Sequence, residues 1–152
     1  MSKPPPPVPA PGSFGAKAMN VFTGTMAVLY RRTGGRIGGK MSGGDVLLLR
    51  HVGRKTGKAR TAPLMYVRHG QDIVVLASRG GSDAMPAWYL NLKANPRTSV
   101  ELGREKLEVV ARDATEEEHD RLWALALTNY PHFDAYQERT ERRIPVVVLE
   151  PA

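Results

Sequence analysis

The chain has 152 residues, enough for one domain with a sizeable hydrophobic core. It contains no cysteine, which excludes disulfides, thiolate nucleophiles and cysteine-ligated metal centres. No apolar run approaches the roughly 20 residues of a membrane-spanning helix, so a cytoplasmic protein is predicted. The formal net charge of +7 at pH 7 leaves three classes of anionic partner: nucleic acid, anionic lipid, or a polyanionic small molecule.

The first 44 residues are predicted to form a leader, a helix and a connector. Residues 1–12 are rich in proline and are expected to be disordered. Apolar residues then recur at three- and four-residue spacing: Met19, Phe22, Met26 and Leu29. This spacing predicts an amphipathic helix over 13–32, followed by a flexible glycine-rich connector up to residue 44. The helix either packs on the core of its own domain or lies on a membrane surface, which the adjacent Arg31 and Arg32 would favour.

Residues 45–152 are predicted to form one β-rich domain. Six runs have the composition of strands: 46–51, 61–68, 73–77, 99–102, 106–112 and 144–149. One helix is predicted over 86–94, beginning with proline, and another from Thr115 to about Asn129, with a capping box to Glu118. Because strands and helices do not alternate, the pattern argues against a parallel nucleotide-binding sheet. It predicts a small barrel of about six antiparallel strands with few helices.

A basic loop with two glycines lies between the first two predicted strands: Gly53-Arg54-Lys55-Thr56-Gly57-Lys58-Ala59-Arg60. Residues 31–60 carry nine lysines and arginines against Asp45 alone, a formal charge of +8, so the positive field belongs to this part of the chain. Glycine permits a tight turn, and arginine and lysine are the usual phosphate contacts. The loop lacks the spacing of a Walker motif. It is either an anion-binding loop or a solvated hairpin.

Three further segments have side chains suited to a ligand pocket. Residues 77–81 follow an apolar strand and can present backbone N–H groups to an anion or a heteroaromatic edge. Trp88 and Tyr89 offer flat surfaces to a planar ligand, and residues 130–136 offer an aromatic wall, although core packing is the plainer interpretation of both. The four histidines lack metal-ligand spacing and are expected at the surface or in turns. Any reactive chemistry is therefore expected from an organic cofactor.

Five segments together resemble the deazaflavin-dependent nitroreductase family, in particular its actinobacterial F420H2-dependent quinone reductases. They are 53–57 with Arg60 and Pro63, 78–81, 86–96, 111–115 and 144–147. The family uses coenzyme F420, an 8-hydroxy-5-deazaflavin with a phosphodiester and a glutamate tail, and both groups would suit the positive field. The resemblance implies a split β-barrel. It also implies hydride transfer from the reduced deazaflavin to a quinone, a nitroaromatic or an activated enone.

The resemblance also assigns site residues. The implied cofactor-binding residues are Gly53, Arg54, Lys55, Thr56, Arg60, Pro63, Ala77, Ser78, Arg79, Gly80, Met85, Pro86, Ala87 and Trp88. Ser78, Tyr130 and Tyr136 are implied to be catalytic residues that face the electron acceptor, whose pocket Met65 and Phe133 would line. The best-known nitroreductase of the family has tyrosine at the last two positions, and lysine in place of Arg79. The more apolar wall favours quinones over bicyclic nitroimidazoles as acceptors.

Two alternatives stay open at this point. Split barrels also bind FMN, so an FMN-dependent reductase would have the same fold. A basic barrel that binds nucleic acid would explain the charge, although the aromatic residues are not interleaved with cations as base stacking requires. With F420 as the cofactor, the predicted partner is a small-molecule quinone such as menaquinone, with no nucleic acid and no metal. If the protein contacts the inner face of the cell membrane, the N-terminal helix is the predicted contact, and the alternative that this helix packs on its own domain stays open.

Overall fold

The computed structural model describes residues 14–41 and 44–152. In this part of the chain there are eight strands: β1 (Lys40–Met41), β2 (Gly44–Val52), β3 (Ala59–Met65), β4 (Val67–His69), β5 (Asp72–Leu76), β6 (Arg97–Leu102), β7 (Glu105–Asp113) and β8 (Val146–Pro151). All the pairings between them are antiparallel. The strand order is β1-β2-β6-β7-β8-β5-β4, and β3 pairs with β2. The predicted antiparallel β domain is therefore present.

The strands bury side chains on both faces of the sheet. One core cluster contains alternate residues of β2, β5 and β8: Leu47, Leu49, Ile73, Val75, Val147 and Leu149. The intervening residues of β5 and β8 belong to a second cluster: Val74, Leu76, Val146 and Val148. Successive side chains of a strand point to opposite faces, so a strand covered on both sides must be apolar throughout. This explains the continuous apolar runs in the sequence.

Four α-helices cover the sheet in the described residues: α1 (Phe14–Thr33), α2 (Ala87–Ala94), α3 (Glu116–Asn129) and α4 (Phe133–Glu138). The predicted capping box starts α3, because the Glu118 amide donates to Thr115 Oγ1 and the Thr115 amide donates to Glu118 Oε1. The hydrogen bond from Arg112 to Glu118 lowers the pKa of that carboxyl to about 2. α2 packs Trp88 and Leu92 into the first cluster.

The structure corrects several predicted boundaries. The run predicted as one strand over 61–68 divides at Tyr66, whose backbone bonds Asp45 and Asn129 in place of a strand partner. β8 begins two residues later than predicted, because the Ile144 amide donates to Gln137 and the next residue is a proline without an N–H. Part of the predicted flexible connector forms the short strand β1. The segment 130–136, predicted to form an aromatic wall, contains the start of a further helix, α4. The predicted leader over 1–12 lies outside the described residues.

α1 packs on the outside of β2 through its last turns. Among the side chains of α1 that the structure describes, from residue 24 onward, Ala27 and Tyr30 are buried and contact Leu48, whereas Leu29 of the predicted apolar stripe is 36% exposed. Met19 and Phe22 of that stripe lie outside the described side chains. Tyr30 Oη donates to the carbonyls of Val46 and Glu101, both at 3.1 Å, and accepts from the Gly103 amide at 2.7 Å. One buried hydroxyl therefore joins the helix to two strands and a turn. No helix among the described residues is long and apolar enough to cross a membrane.

Replacing Tyr30 with phenylalanine should lower the free energy of unfolding by about 1–3 kcal/mol, because the half-buried Gly103 amide loses its acceptor and the buried Val46 carbonyl loses its donor. Urea unfolding measures the change. Tyr89→Phe is the matched control, since its hydroxyl bonds Asp113 at an exposed position and should contribute less. Equal losses in the two variants would contradict the anchoring role of Tyr30.

Candidate functional site

The basic loop (53–60) is a defined turn that connects β2 to β3. The Gly53 amide donates to the Lys58 carbonyl at 2.9 Å, and the Gly57 amide donates to the Gly53 carbonyl at 2.8 Å. Gly57 has φ +70°, and a Cβ on Gly53 would clash with the Thr56 hydroxyl. Gly57 therefore supplies a backbone conformation that side chains rarely adopt, and a side chain at position 53 would require Thr56 to move. Its four cations are exposed, and the described residues provide no ion pair for any of them: Arg54, Lys55, Lys58 and Arg60.

A buried amide on α2 fixes the start of this loop. Asn91 is 2% exposed, and its Oδ1 accepts from the Arg54 backbone N–H at 3.0 Å and from Arg54 Nη1 at 3.2 Å. Its Nδ2 lies 2.9 Å from His51 Nδ1. The amide thus donates to the imidazole and accepts twice from arginine. Asn91 belongs to one of the segments that carry the family resemblance, but nothing in the sequence indicates which residue it binds.

His51 is buried, contrary to the prediction that the histidines lie at the surface or in turns. Its side chain is on the face of β2 that carries the first core cluster, and the residue is 5% exposed. Burial, with a smaller contribution from the charge of Arg60, lowers its pKa to about 4. The imidazole is therefore neutral at pH 7, and its Nδ1 accepts the hydrogen bond from Asn91.

The segment after β5 (the 77–85 segment) is held by one arginine that the sequence did not single out. Arg142 donates to the carbonyls of Ala77 at 3.2 Å, Ser78 at 3.0 Å and Ser82 at 2.8 Å. The same guanidinium lies 3.4 Å from the Ala84 carbonyl and from Met85 Sδ. Burial lowers the pKa of Arg142. A guanidinium with its five N–H groups can satisfy a whole irregular segment of buried carbonyls.

The 77–85 segment also lies against α4. Arg79 has φ +45°, an uncommon value for a residue with a side chain, and Gly81 has φ +83°. A Cβ on Gly81 would lie 2.6 Å from the Tyr136 carbonyl. Arg139 Nη1 donates to the Gly80 carbonyl at 3.0 Å, and Thr140 Oγ1 donates to Asp83 at 2.6 Å. The segment and the end of α4 therefore form one packed unit.

The three aromatic residues of the predicted wall lie together in the second core cluster. Tyr130 is 1% exposed, Phe133 6% and Tyr136 7%. The two tyrosine hydroxyls lie 2.7 Å apart and share a hydrogen bond. Burial, and then this hydrogen bond, raise the pKa of Tyr136. Met65 packs against the same cluster. The wall is thus brought together as predicted, but most of its surface faces the protein interior.

The remaining predicted cofactor residues lie on three elements. Pro63 is on β3, opposite Leu48 in the ladder. Pro86 and Trp88, at the start of α2, are buried, Ala87 between them is exposed, and Met85 is half-buried. Ala77 is fully buried, and Ser78 is 7% exposed. The hydrogen bonds of Asn91 join the basic loop to α2, and those of Arg142 join the 77–85 segment to the chain beyond α4.

Other residues of the resembling segments line a separate cleft of ≈ 330 Å³ between α2 and the strands β7 and β8. Leu92, Val147 and Asp113 are among its lining residues. Tyr89 Oη donates to Asp113 at 3.1 Å, and Lys93 Nζ donates to it at 2.8 Å. These contacts connect α2 to the end of β7. Part of the motif 86–96 therefore joins the helix to the sheet.

Comparison with known proteins identifies relatives over most of the chain. The family model for F420H(2)-dependent quinone reductase matches residues 23–151. An F420H(2)-dependent quinone reductase of Mycobacterium tuberculosis (strain ATCC 25618 / H37Rv) is 42% identical over 125 residues, which are 80% of this chain and 84% of that protein. A similarly described protein of Mycobacterium bovis has the same identity and coverage.

A solved structure of an F420-H2 dependent reductase supports the fold. It is 40% identical, has a TM-score of 0.64, and the match covers 69% of this chain and 93% of that one. A second structure, described as a domain-swapped dimer, is 35% identical with a TM-score of 0.67, covering 88% of this chain and 99% of that one. The predicted split-barrel fold is confirmed.

The low pKa of His51 predicts a loss of stability in mild acid. Because the unfolded histidine has a pKa near 6.5 and the folded one about 4, the unfolded state binds more protons between these values. Stability should therefore fall as the pH drops from 6.5 to 4, by about 3 kcal/mol from this group. In urea unfolding at several pH values, His51→Gln should lose that part of the slope.

His69→Gln is the matched control, because His69 lies exposed on β4. The control should keep the slope of the unsubstituted protein. If His51→Gln also kept it, the buried neutral state of His51 would be contradicted.

Proposed function

The chain belongs to the F420H(2)-dependent quinone reductase family, and we propose that it oxidises reduced coenzyme F420 by transferring a hydride to a quinone. The observation that carries the proposal is the basic loop. It offers four exposed cations without an ion pair in the described part of the chain, on a backbone that Asn91 holds in place. Such a loop binds an anionic group at little cost in reorganisation.

The chemistry of the donor set fits the coenzyme. A phosphodiester and carboxylates require several cations, which the basic loop supplies. A planar ring system requires flat apolar contacts and backbone dipoles, and we assign these to Trp88, Pro86 and the 77–85 segment. We propose that Arg54, Lys55 and Arg60 hold the phosphate and neighbouring carboxylates, with Gly53 and Thr56 shaping the loop. Lys58 adds a further cation.

We propose further that residues of β3, of the 77–85 segment and of the start of α2 position the deazaflavin ring. Pro63, on β3, would lie beside the ring. The residues that would border the ring are Ala77, Ser78, Arg79, Gly80, Met85, Pro86, Ala87 and Trp88. When bound, reduced F420 supplies the hydride, and the protein's part is to bind both partners within reacting distance and to limit the access of water.

The acceptor side combines hydroxyls with an apolar wall. Tyr130 and Tyr136 share one hydrogen bond, in which one hydroxyl donates to the other. The proton of the accepting hydroxyl is then available to a further acceptor. We assign that proton, with the Ser78 hydroxyl, to the oxygen of the acceptor, where negative charge develops when the hydride arrives. Met65 and Phe133 would contact the apolar part of the acceptor, as suits a quinone such as menaquinone better than a polar nitroimidazole.

The direct test mixes the purified protein with reduced F420 and menadione. We expect oxidation of reduced F420, followed as the return of its fluorescence, and no comparable oxidation of NADPH when it replaces reduced F420. Absence of both F420 binding and turnover at micromolar protein would contradict the proposal. FMN retained through purification would instead favour an FMN-dependent reductase.

Lys55→Ala should weaken F420 binding by about tenfold or more, because a charge-assisted hydrogen bond to phosphate is worth about 1.5–3 kcal/mol. Fluorescence titration gives the dissociation constant. Arg121→Ala is the matched control, since this cation is exposed on α3, outside the proposed site, and should bind F420 normally. An unchanged affinity in Lys55→Ala would remove that residue from the site.

We propose, in addition, that the end of α1 contacts the membrane surface from the cytoplasmic side. Val28 at 48% and Leu29 at 36% are exposed on α1, and Ile37 at 45% is exposed in the turns that follow it. Arg32 and Arg36 are exposed beside them. An apolar surface flanked by cations suits a bilayer with anionic lipid, and such a position would give access to lipid quinones.

Replacing Val28, Leu29 and Ile37 together with serine should lower partitioning to phosphatidylglycerol-containing vesicles by about tenfold or more, because apolar contact area is lost. Cosedimentation measures the bound fraction. Activity with soluble menadione should be unchanged, which separates lipid contact from catalysis. If the triple variant cosedimented as well as the unsubstituted protein, α1 would not be the contact.

A further inference from the structure

A second group of cations lies outside the proposed ring site, on the outer face of the sheet. Arg31, Arg50, Arg60 and Lys106 line a cleft of ≈ 420 Å³ together with Glu101 and Thr61. Four cations against one carboxylate leave a formal charge of +3. We propose that this cleft is a second anion-binding site, which takes a ligand with closely spaced carboxylate or phosphate groups.

The register of the strands places Arg50, Thr61, Glu101 and Lys106 on the outer face, whereas Arg60 pairs with His51 and lines the cleft from the start of β3. Leu48 and Arg50 are two residues apart on β2, and Leu48 packs outward against α1. Thr61 pairs with Arg50, and Glu101 pairs with both Leu48 and Lys106. Directly paired residues share a face of a sheet, and residues two apart on a strand do too. The outer face therefore collects Arg50 and Lys106 beside the end of α1.

Only one of the four cations is neutralised within the protein. Arg31 Nε lies 3.0 Å from Glu101 Oε2, and Arg31 Nη2 donates to Thr61 Oγ1 at 3.0 Å. Arg50, Arg60 and Lys106 are exposed and have no ion pair among the described residues. Like charges that converge on one cleft repel each other unless an anion joins them. The surplus positive charge of the cleft therefore favours the binding of an anionic ligand.

The cleft is continuous with the basic loop through Arg60, the last cation of that loop and a lining residue of the cleft. A ligand held at the loop can therefore extend its anionic groups toward Arg50 and Lys106. Two sources have this chemistry, the acidic tail of the coenzyme and the headgroup of an anionic lipid. The first source rests on the proposed function, whereas the second is independent of it.

The first experiment uses inorganic tripolyphosphate as the probe, titrated by calorimetry at low and moderate salt. The double variant Arg50→Ala/Lys106→Ala should bind it about tenfold more weakly or worse. The control Arg97→Ala/Arg121→Ala removes two exposed cations outside the cleft and should bind normally. Thermal unfolding checks that both variants are folded. Equal binding by the unsubstituted protein and the cleft variant would overturn the proposal.

Two further binding measurements distinguish the coenzyme tail from a lipid headgroup as the ligand of the cleft. If the coenzyme tail is the ligand, the cleft variant should bind F420 more weakly but bind the tail-less deazaflavin as before, with kcat for menadione unchanged. If a lipid headgroup is the ligand, the variant should instead lose binding to phosphatidylglycerol vesicles. Loss on neither arm would overturn the site. Failure of the unsubstituted protein to bind either deazaflavin would contradict the proposed function and leave the tripolyphosphate result to decide on the cleft.

Discussion

The register of β2 determines where the functional charges lie. Both faces of this strand are covered, with Leu47 and Leu49 in the first core cluster and Leu48 beneath α1. A slip of one residue would exchange the two faces and turn Arg50 into the core, where an unpaired guanidinium is very costly. The apolar side chains thus fix the register, and the register in turn fixes the positions of the basic loop and the outer cleft.

Those features of the site that depend on local pattern could be predicted from the sequence. A continuous apolar run located β2, and the capping box located the start of α3 at Thr115. The glycines and cations of the basic loop predicted a tight turn with exposed cations, because the turn and its charges are encoded within eight consecutive residues. The family resemblance added the cofactor, which no local pattern specifies.

The residues that hold the site in place could not be predicted in the same way. Asn91 binds Arg54 across 37 positions of sequence, and Arg142 binds the carbonyls of the 77–85 segment across about 60. Such contacts depend on tertiary packing, and the residue types alone fit any exposed helix or loop equally well. His51 was misjudged for a related reason, since its burial follows from the loop and helix packed above it. Long-range hydrogen bonds thus give this site a rigidity that its sequence does not display.

The close approach of Gly81 to α4 has a consequence for how this family can diversify. No side chain fits between Gly81 and the Tyr136 carbonyl, so the 77–85 segment and α4 must shift together. The segment is proposed to border the deazaflavin, and α4 carries part of the proposed acceptor wall. A substitution on α4 that admits a new acceptor therefore also displaces backbone beside the coenzyme. The choice of acceptor and the position of the coenzyme are then coupled through this contact. Relatives with new substrates should therefore carry compensating changes both on α4 and in the 77–85 segment.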